Sequence, residues 1–140
     1  MQAREWLNRG FDISQELYIK KMMRDTIINV VSKTDTDGSK KYNAGGNNCE
    51  NAFIKWSLLN AEVERMEIEL LNIDRNTAEI LRNLRSNKER EVLYLRYVKR
   101  VTWRKIGQIL NMKPATMFRH HANGIKHICT IVNENFDLYF

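Results

Sequence analysis

Residues 86–132 read SNKEREVLYLRYVKRVTWRKIGQILNMKPATMFRHHANGIKHICTIV, and this stretch decides how the chain is organised. Apolar residues recur in it every three or four positions in three segments, the pattern of amphipathic helices. Ser86 and Thr102 precede the first two segments and are residue types that cap helix N-termini. Glu89 completes a capping box with Ser86. Asn111 ends the second segment, and asparagine enters left-handed backbone conformations readily.

The second and third segments have the residue pattern of a helix-turn-helix. Gly107 leaves room for the next helix, Asn111 supplies the turn, and Met117 points inward. Pro114, the only proline, suits the first position of the third helix, where its missing N–H is no loss. The alternative is an ordinary helical hairpin packed in a core. Such a hairpin does not require a small residue, a turn residue and an inward apolar residue at these spacings. The pattern favours a short polar and basic helix that lies in the major groove of DNA.

The strings KEREVLYLRY, TWRKIGQIL and PATMFRHHANGIKHI resemble region 4 of sigma-70-type factors. They are most similar to the small region-4-like transcriptional regulators of phages and prophages of Gram-positive bacteria, including the ArpU-like late regulators. The resemblance implies a three-helix DNA-binding unit whose last helix reads a promoter element. It also implies that Pro114, Ala115, Phe118 and Arg119 face the bases. Lys113 stands where many relatives have a serine N-cap. We therefore expect the third helix to be capped less well than in those relatives and its phosphate contact to differ.

Positive charge is concentrated in the same part of the chain. Residues 1–84 contain 12 Lys and Arg against 13 Asp and Glu, whereas residues 85–140 contain 11 against 4. This asymmetry favours nucleic acid as the partner over a membrane or an acidic protein.

The N-terminal part of the chain predicts two long helices. Residues 2–31 form a broad amphipathic pattern, and residues 32–48 are rich in Gly, Asn, Ser and Asp and predict a flexible loop. The segment 49–84 has an apolar seam at alternating spacings of four and three, as in coiled coils. The seam consists of Ala52, Trp56, Leu59, Val63, Met66, Leu70, Ile73, Thr77, Ile80 and Leu84. The first helix, folding back, or a second copy of the chain could cover the 52–84 seam.

The predicted fold is therefore all-α. We expect a long antiparallel, coiled-coil-like helical hairpin over residues 1–84, with the flexible loop at 32–48. A three-helix unit of the sigma region 4 type, containing the helix-turn-helix, follows at 85–132. Residues 133–140 form a tail that carries Phe136 and Leu138.

Nothing in the sequence predicts an enzyme, a cofactor or a metal site. His120 and His127 are seven residues apart, about 10 Å along a helix, which is too far to share one ion. A partly buried histidine near the apolar stripe is the simpler interpretation of the His120–His121 pair. No apolar run is long enough for a membrane span, and the N-terminal residues lack the apolar stretch of a signal peptide, so we expect a cytoplasmic protein in a bacterial host. Cys49 and Cys129 are too few for a disulfide framework.

The candidate DNA contacts fall into two groups. Arginine reads guanine by a two-point hydrogen bond, asparagine can pair with adenine, and apolar groups meet thymine methyls. The candidates for base contact are Ala115, Thr116, Phe118, Arg119 and Asn123. Phosphate contacts position a protein without reading sequence. The candidates for phosphate contact are Thr102, Arg104, Lys105, Lys113 and Lys126.

Together these features favour a sequence-specific, DNA-binding transcriptional regulator of phage or prophage type. Double-stranded promoter DNA is the expected ligand, and the resemblance implies contact with RNA polymerase. Two alternatives stay open. One is a phage DNA-packaging protein of the small terminase type, which a ring of many subunits would indicate. The other is a sigma-mimicking protein-interaction module that acts on RNA polymerase, with DNA secondary, which an absence of DNA binding even at low salt would indicate.

Overall fold

A computed structural model describes residues 2–36 and 45–134, and the regular structure in these ranges is helical. The all-α prediction is therefore confirmed for the described residues. The elements are α1 (Ala3–Thr36), α2 (Gly45–Leu81), α3 (Asn87–Leu93), α4 (Trp103–Leu110) and α5 (Pro114–Glu134). A π-helical turn, Tyr94–Val98, directly follows α3. None of the helices in the described ranges combines the length and the apolar character that crossing a membrane requires.

Helical structure extends into both ends of the predicted loop at 32–48. Residues 32–36 belong to α1 and residues 45–48 belong to α2, while 37–44 lie outside the described residues. Each residue that extends an existing helix adds one backbone hydrogen bond. This gain outweighs the weak preference for loops that the composition of the segment indicates. In the same way α5 continues to Glu134, into the predicted tail. The remaining tail residues, 135–140, lie outside the described part of the chain.

The chain divides into two compact units. The first comprises Met1–Asp12 and Leu70–Phe140, and the second comprises Ile13–Glu69. In the first unit, the start of α1 packs into the core of the C-terminal helices. Its buried residues are Ala3, Trp6, Leu7, Ile80, Leu81, Leu84, Leu93, Tyr97, Ile128 and Val132. The predicted segment 85–132 is thus part of a larger packed unit, because its short helices leave apolar side chains that Trp6 and Leu7 cover.

In the second unit, α1 and α2 are joined by polar contacts around a small apolar core. Lys21 Nζ lies 2.8 Å from Glu67 Oε1, and Lys20 forms an ion pair with Glu62. The hydrogen bond between Lys20 and Glu62 raises the pKa of the lysine and lowers the pKa of the carboxyl group. Arg24 Nη1 donates to Asn60 Oδ1 at 3.0 Å. Lys20 contacts Glu62, and Arg24, further along α1, contacts Asn60, which lies earlier on α2. Residue numbers thus increase along α1 while they decrease along α2, as they do in antiparallel helices. The buried apolar side chains are Leu17, Val63 and Met66.

All ten positions of the predicted seam, nine of them on α2, are buried or half-buried. Val63 and Ile80 are 0% exposed in the single chain. Phe53 and Leu58, apolar residues of α2 outside the seam, are 64% and 67% exposed, whereas Leu81 at the end of the helix is 1% exposed. The spacing of the seam therefore identified the inward face of α2 correctly. Within the single chain, five of the seam positions are buried and five are half-buried.

Candidate nucleic-acid interface

The first of the three C-terminal helices anchors the last one. Ser86 caps α3, and its Oγ accepts a hydrogen bond from the Glu89 N–H at 3.4 Å. The Glu89 side chain is turned towards α5, where its Oε2 lies 2.8 Å from His127 Nδ1. The capping box expected at Ser86 is thus confirmed for the serine, whereas the glutamate contacts α5. Gly124 of α5 makes this close approach possible, since a Cβ there would lie 2.6 Å from Leu93 Cδ1.

The π-helical turn places an aromatic residue against the inner face of α5. The Lys99 N–H donates to the Tyr94 carbonyl at 3.1 Å, a bond over five residues that widens the last turn. Tyr97 is 5% exposed, and its hydroxyl lies 2.7 Å from His121 Nε2. Burial, followed by the positive charges of Arg4 and Arg96, lowers the pKa of His121 from 6.5 to about 4. His121 is therefore neutral near pH 7, and the prediction of a partly buried histidine here is confirmed.

A tight turn joins α4 to α5. Thr102 caps α4 by accepting from the Lys105 N–H at 3.4 Å. Asn111 ends α4 with φ 53° and ψ 50°, in the left-handed region. The Met112 N–H then donates to the Gly107 carbonyl at 3.0 Å. A Cβ on Gly107 would lie 3.2 Å from the Met112 carbonyl oxygen, so the missing side chain makes room for the turn itself.

A small core fixes the angle between α4 and α5. Val92 and Ile106 are 0% exposed and Met117 is 3% exposed, and these three residues pack together. Trp103 and Met112 are half-buried against them. Met117 thus lies on the inward side of α5, as its position in the sequence predicted.

Five side chains project from the opposite side of α5. Ala115, Arg119, Ala122 and Lys126, at spacings of four, three and four, are exposed, and Phe118 beside them is 46% exposed. We call these five residues the outer ridge of α5. Of the candidates for base contact, Ala115, Phe118 and Arg119 lie on the ridge.

The other two candidates for base contact, Thr116 and Asn123, are half-buried on the flanks of α5. Asn123 is neither sealed in the core nor fully on the ridge, so it can reach a ligand only where α5 enters deeply. The Phe118 ring packs against the Trp103 ring, and the two ring centroids lie 5.1 Å apart.

The candidates for phosphate contact lie at α4 (Thr102, Arg104 and Lys105), in the turn (Lys113) and on the ridge itself (Lys126). Thr102, Arg104, Lys105, Lys113 and Lys126 are all exposed. No acidic residue occurs in the sequence between Glu91 and Glu134. Among the described residues, none of the four cations in this set forms an ion pair with a carboxylate. Their charges are therefore free to act on an external anion.

A shallow concavity of about 460 Å³ separates α4 from the first turn of α5. Its walls combine apolar side chains with the polar ends of Arg104 and Gln108. The lining residues are Trp103, Arg104, Gly107, Gln108, Asn111, Met112, Pro114, Met117 and Phe118. Gln108 is exposed at its rim and could donate or accept hydrogen bonds.

Two residues at this surface were missed by reasoning from the sequence. Ala122 follows Arg119 by three positions and precedes Lys126 by four, and this spacing alone could have placed it on the ridge. Gln108 gave no such signal, because its position at the rim depends on the angle between α4 and α5.

Two of the three histidines of this region contact side chains of the same unit. His121 contacts Tyr97 and His127 contacts Glu89, while Cys129 is exposed. Within the ranges that the structure describes, no three His, Cys, Asp or Glu side chains come together as metal ligands would.

The sequence pattern of a protein family covers most of the chain. Residues 13–130 match the family described as protein of unknown function, DUF722. Neither a curated protein nor a solved structure gives a significant match. The matched range includes α1 from Ile13 onward, all of α2 and the α4–turn–α5 surface, and on this basis the chain belongs to the DUF722 family.

Proposed function

We propose that this protein is a sequence-specific DNA-binding transcriptional regulator of phage or prophage type. In this proposal α4 and α5 are the two helices of a helix-turn-helix, and α5 is the recognition helix that enters the major groove. The observation that carries the proposal is the outer ridge of α5. It lies opposite the buried Met117, follows a left-handed turn at Asn111, and is accompanied by exposed cations that pair with no carboxylate of the described residues.

The ridge has the chemistry that base reading requires. Arg119 is exposed and can donate two hydrogen bonds to the O6 and N7 atoms of a guanine. Phe118 and Ala115 offer apolar surface to thymine methyl groups. Because few hydrogen-bonding groups lie on the ridge, specificity is expected to depend on Arg119, on apolar contact and on the shape of the groove.

The cations around the ridge supply affinity. Lys105 and Arg104 lie on α4, whereas Lys113 lies in the turn before α5 and Lys126 lies further along α5. Cations distributed around a recognition helix can bind the phosphates on both sides of a groove. The similarity of this segment to sigma region 4 supports the same assignment, and it suggests promoter DNA and a contact with RNA polymerase.

Selection of bound duplexes from a random pool tests this proposal. We expect the full chain to enrich a defined motif, and we expect Arg119→Ala to relax the preference at one or two base pairs. Each lost base contact should reduce discrimination there by about 1–3 kcal/mol. Lys113→Ala is the matched control, since a phosphate contact should weaken all sequences alike. A pool without enrichment, or a motif that Arg119→Ala leaves intact, would contradict the assignment.

A further inference from the structure

Helix α2 carries a second apolar stripe on the side away from its buried seam. We call it the outer stripe: Ile54, Leu58, Ala61, Arg65 and Ile68. Its spacings of four, three, four and three place these residues on one face of the helix. Ile54 is 55% exposed, Leu58 is 67% exposed and Ile68 is 62% exposed. A helix with two coiled-coil-like faces, one covered and one open, has an unused packing surface.

The second unit exposes more large apolar side chains than it buries. Among the described residues of Ile13–Glu69, three apolar side chains are buried and nine large ones are exposed. The exposed ones are Tyr18, Ile19, Met22, Met23, Ile28, Phe53, Ile54, Leu58 and Ile68. Exposed apolar surface of this extent marks interaction sites in soluble proteins, and small units with thin cores often need oligomerisation for stability.

We propose that the outer stripe is the dimerisation face of this protein, and that its partner is the outer stripe of a second copy, packed antiparallel. The stripe is self-complementary about Ala61, because Ile54 lies seven residues before it and Ile68 seven residues after it. A two-fold axis at Ala61 therefore brings Ile54 of each copy against Ile68 of the other.

The remaining residues of the stripe fit the same register. Leu58 lies three residues before Ala61 and Arg65 lies four residues after it, so the leucine packs on the aliphatic part of the arginine of the other copy. The Arg65 side chain is 74% exposed, and its charged end can stay in water at the edge of such a contact. Ala61 is the smallest residue of the stripe, and at the crossing point it lets the two helices approach closely.

The area of the stripe suits a small dimer interface of modest affinity. Ile54, Leu58, Ile68 and the neighbouring Phe53, which is 64% exposed, each offer roughly 100 Å² of accessible apolar surface. Together with Ala61 and the stem of Arg65, two copies would bury about 1,000 Å², near the lower limit for specific interfaces. The outer face of α1, with Tyr18 and Met22, has no comparable symmetric register.

A two-fold dimer would also present two copies of the α4–α5 surface. On the proposed function, such a dimer would bind two half-sites of opposite orientation. The pairing itself can be tested without DNA, so failure of the dimer and failure of DNA binding are distinguishable.

Cysteine cross-linking of the full chain tests the register. In a background with Cys49→Ser and Cys129→Ser, Ala61→Cys should form a disulfide-linked dimer under mild oxidation. The double variant Ile54→Cys/Ile68→Cys should also cross-link between copies, since the two positions lie about 21 Å apart along one helix and cannot bridge within it. Ile54→Cys alone should stay monomeric in denaturing gels. Efficient cross-linking by Ile54→Cys alone would indicate parallel helices and overturn the proposal.

Sedimentation equilibrium tests whether this face holds the dimer together. We expect the wild-type chain to be a dimer at micromolar concentration and Leu58→Glu to weaken association at least tenfold, with helical circular dichroism retained. Met22→Glu on α1, also at an exposed apolar residue, is the matched control and should leave the dimer intact. A monomeric wild-type chain would overturn the proposal, as would dissociation by Met22→Glu but not by Leu58→Glu.

Discussion

Asp74 and Arg100 form a two-point ion pair within the first unit. Arg100 Nη1 lies 2.8 Å from Asp74 Oδ1, and Nη2 lies 3.1 Å from Oδ2. Their side chains are 21% and 19% exposed, so the pair is partly shielded from water. The backbone of Arg100 is left-handed, with φ 53°. The pair therefore holds a residue in an unfavourable conformation, directly before the Thr102 cap of α4.

Loss of this pair should destabilise the fold. Arg100→Ala leaves Asp74 without its partner, and we expect it to lower the free energy of unfolding by about 1–3 kcal/mol. Arg100→Gly also loses the pair but relieves the left-handed backbone, so it should be about 1 kcal/mol more stable than Arg100→Ala. Urea denaturation measures both. Lys99→Ala, at an exposed neighbour, is the control, and equal stability of the glycine and alanine variants would contradict this account.

Gly124 should not tolerate a methyl group. A Cβ there would lie 2.6 Å from Leu93 Cδ1 and 3.3 Å from Leu93 Cγ, and Leu93 is fully buried, so its side chain has to shift within the core. We expect Gly124→Ala to cost about 1–3 kcal/mol through overpacking, against a gain of up to about 1 kcal/mol in helix propensity. Thermal unfolding measures the net loss. Leu93→Ala should cost less in the Gly124→Ala background than alone, and additive losses would argue against the contact.

His121 should make stability depend on pH. Its pKa is about 4 in the folded protein and 6.5 when unperturbed, so the unfolded chain binds the proton more readily. The neutral ring therefore contributes stability that is complete above pH 6.5 and is lost as the pH falls from 6.5 to about 4.

Denaturation midpoints at several pH values, compared with those of His121→Gln, isolate this effect. The variant should be less stable near pH 7 and should lose less of its stability on acidification. Gln108→Ala, at an exposed residue that does not titrate, is the control and should retain the pH dependence of the wild-type chain. An unchanged pH profile in His121→Gln would show that this histidine is not responsible.

The start of α1 should be essential to the C-terminal unit. Trp6 is 1% exposed and packs with Leu93 and Ile128, and we expect Trp6→Ala to cost about 3–5 kcal/mol. Ile109→Ala, at a residue that is 53% exposed, is the control and should change stability little. Calorimetric unfolding compares the two, and a small effect of Trp6→Ala would mean that the C-terminal helices are stable without α1.

Short-range patterns in the sequence predicted much of this structure. The serine at 86 and the threonine at 102 mark caps, Asn111 marks the turn, and the spacing of four and three marks the inward face of α2, because each depends on local geometry. The pairing of Trp6 with Ile128 could not be predicted in this way. It joins residues 122 positions apart, and no local pattern reports which of several apolar faces will meet.

In the candidate site, too, local patterns predicted some features, while contacts between distant residues determined the others. Helical periodicity placed Ala115, Phe118 and Arg119 outward and Met117 inward. The half-burial of Thr116 and Asn123 depends on the neighbouring helices, and so does the concavity beside Gln108. Glu89 shows the limit of motif reasoning, since its carboxylate contacts His127 of a distant helix.

The salt dependence of binding to unselected duplex DNA tests the central claim most directly. If the exposed cations around α5 bind phosphates, the logarithm of the association constant should fall linearly with the logarithm of the salt concentration, with a slope of about −3 to −4. Fluorescence anisotropy measures this slope. Lys105→Ala should make that slope shallower by about 1, whereas Arg75→Ala, an exposed arginine on α2, should leave it unchanged. Absence of binding at about 50 mM salt, or an equal effect of both variants, would contradict DNA recognition by the outer ridge of α5.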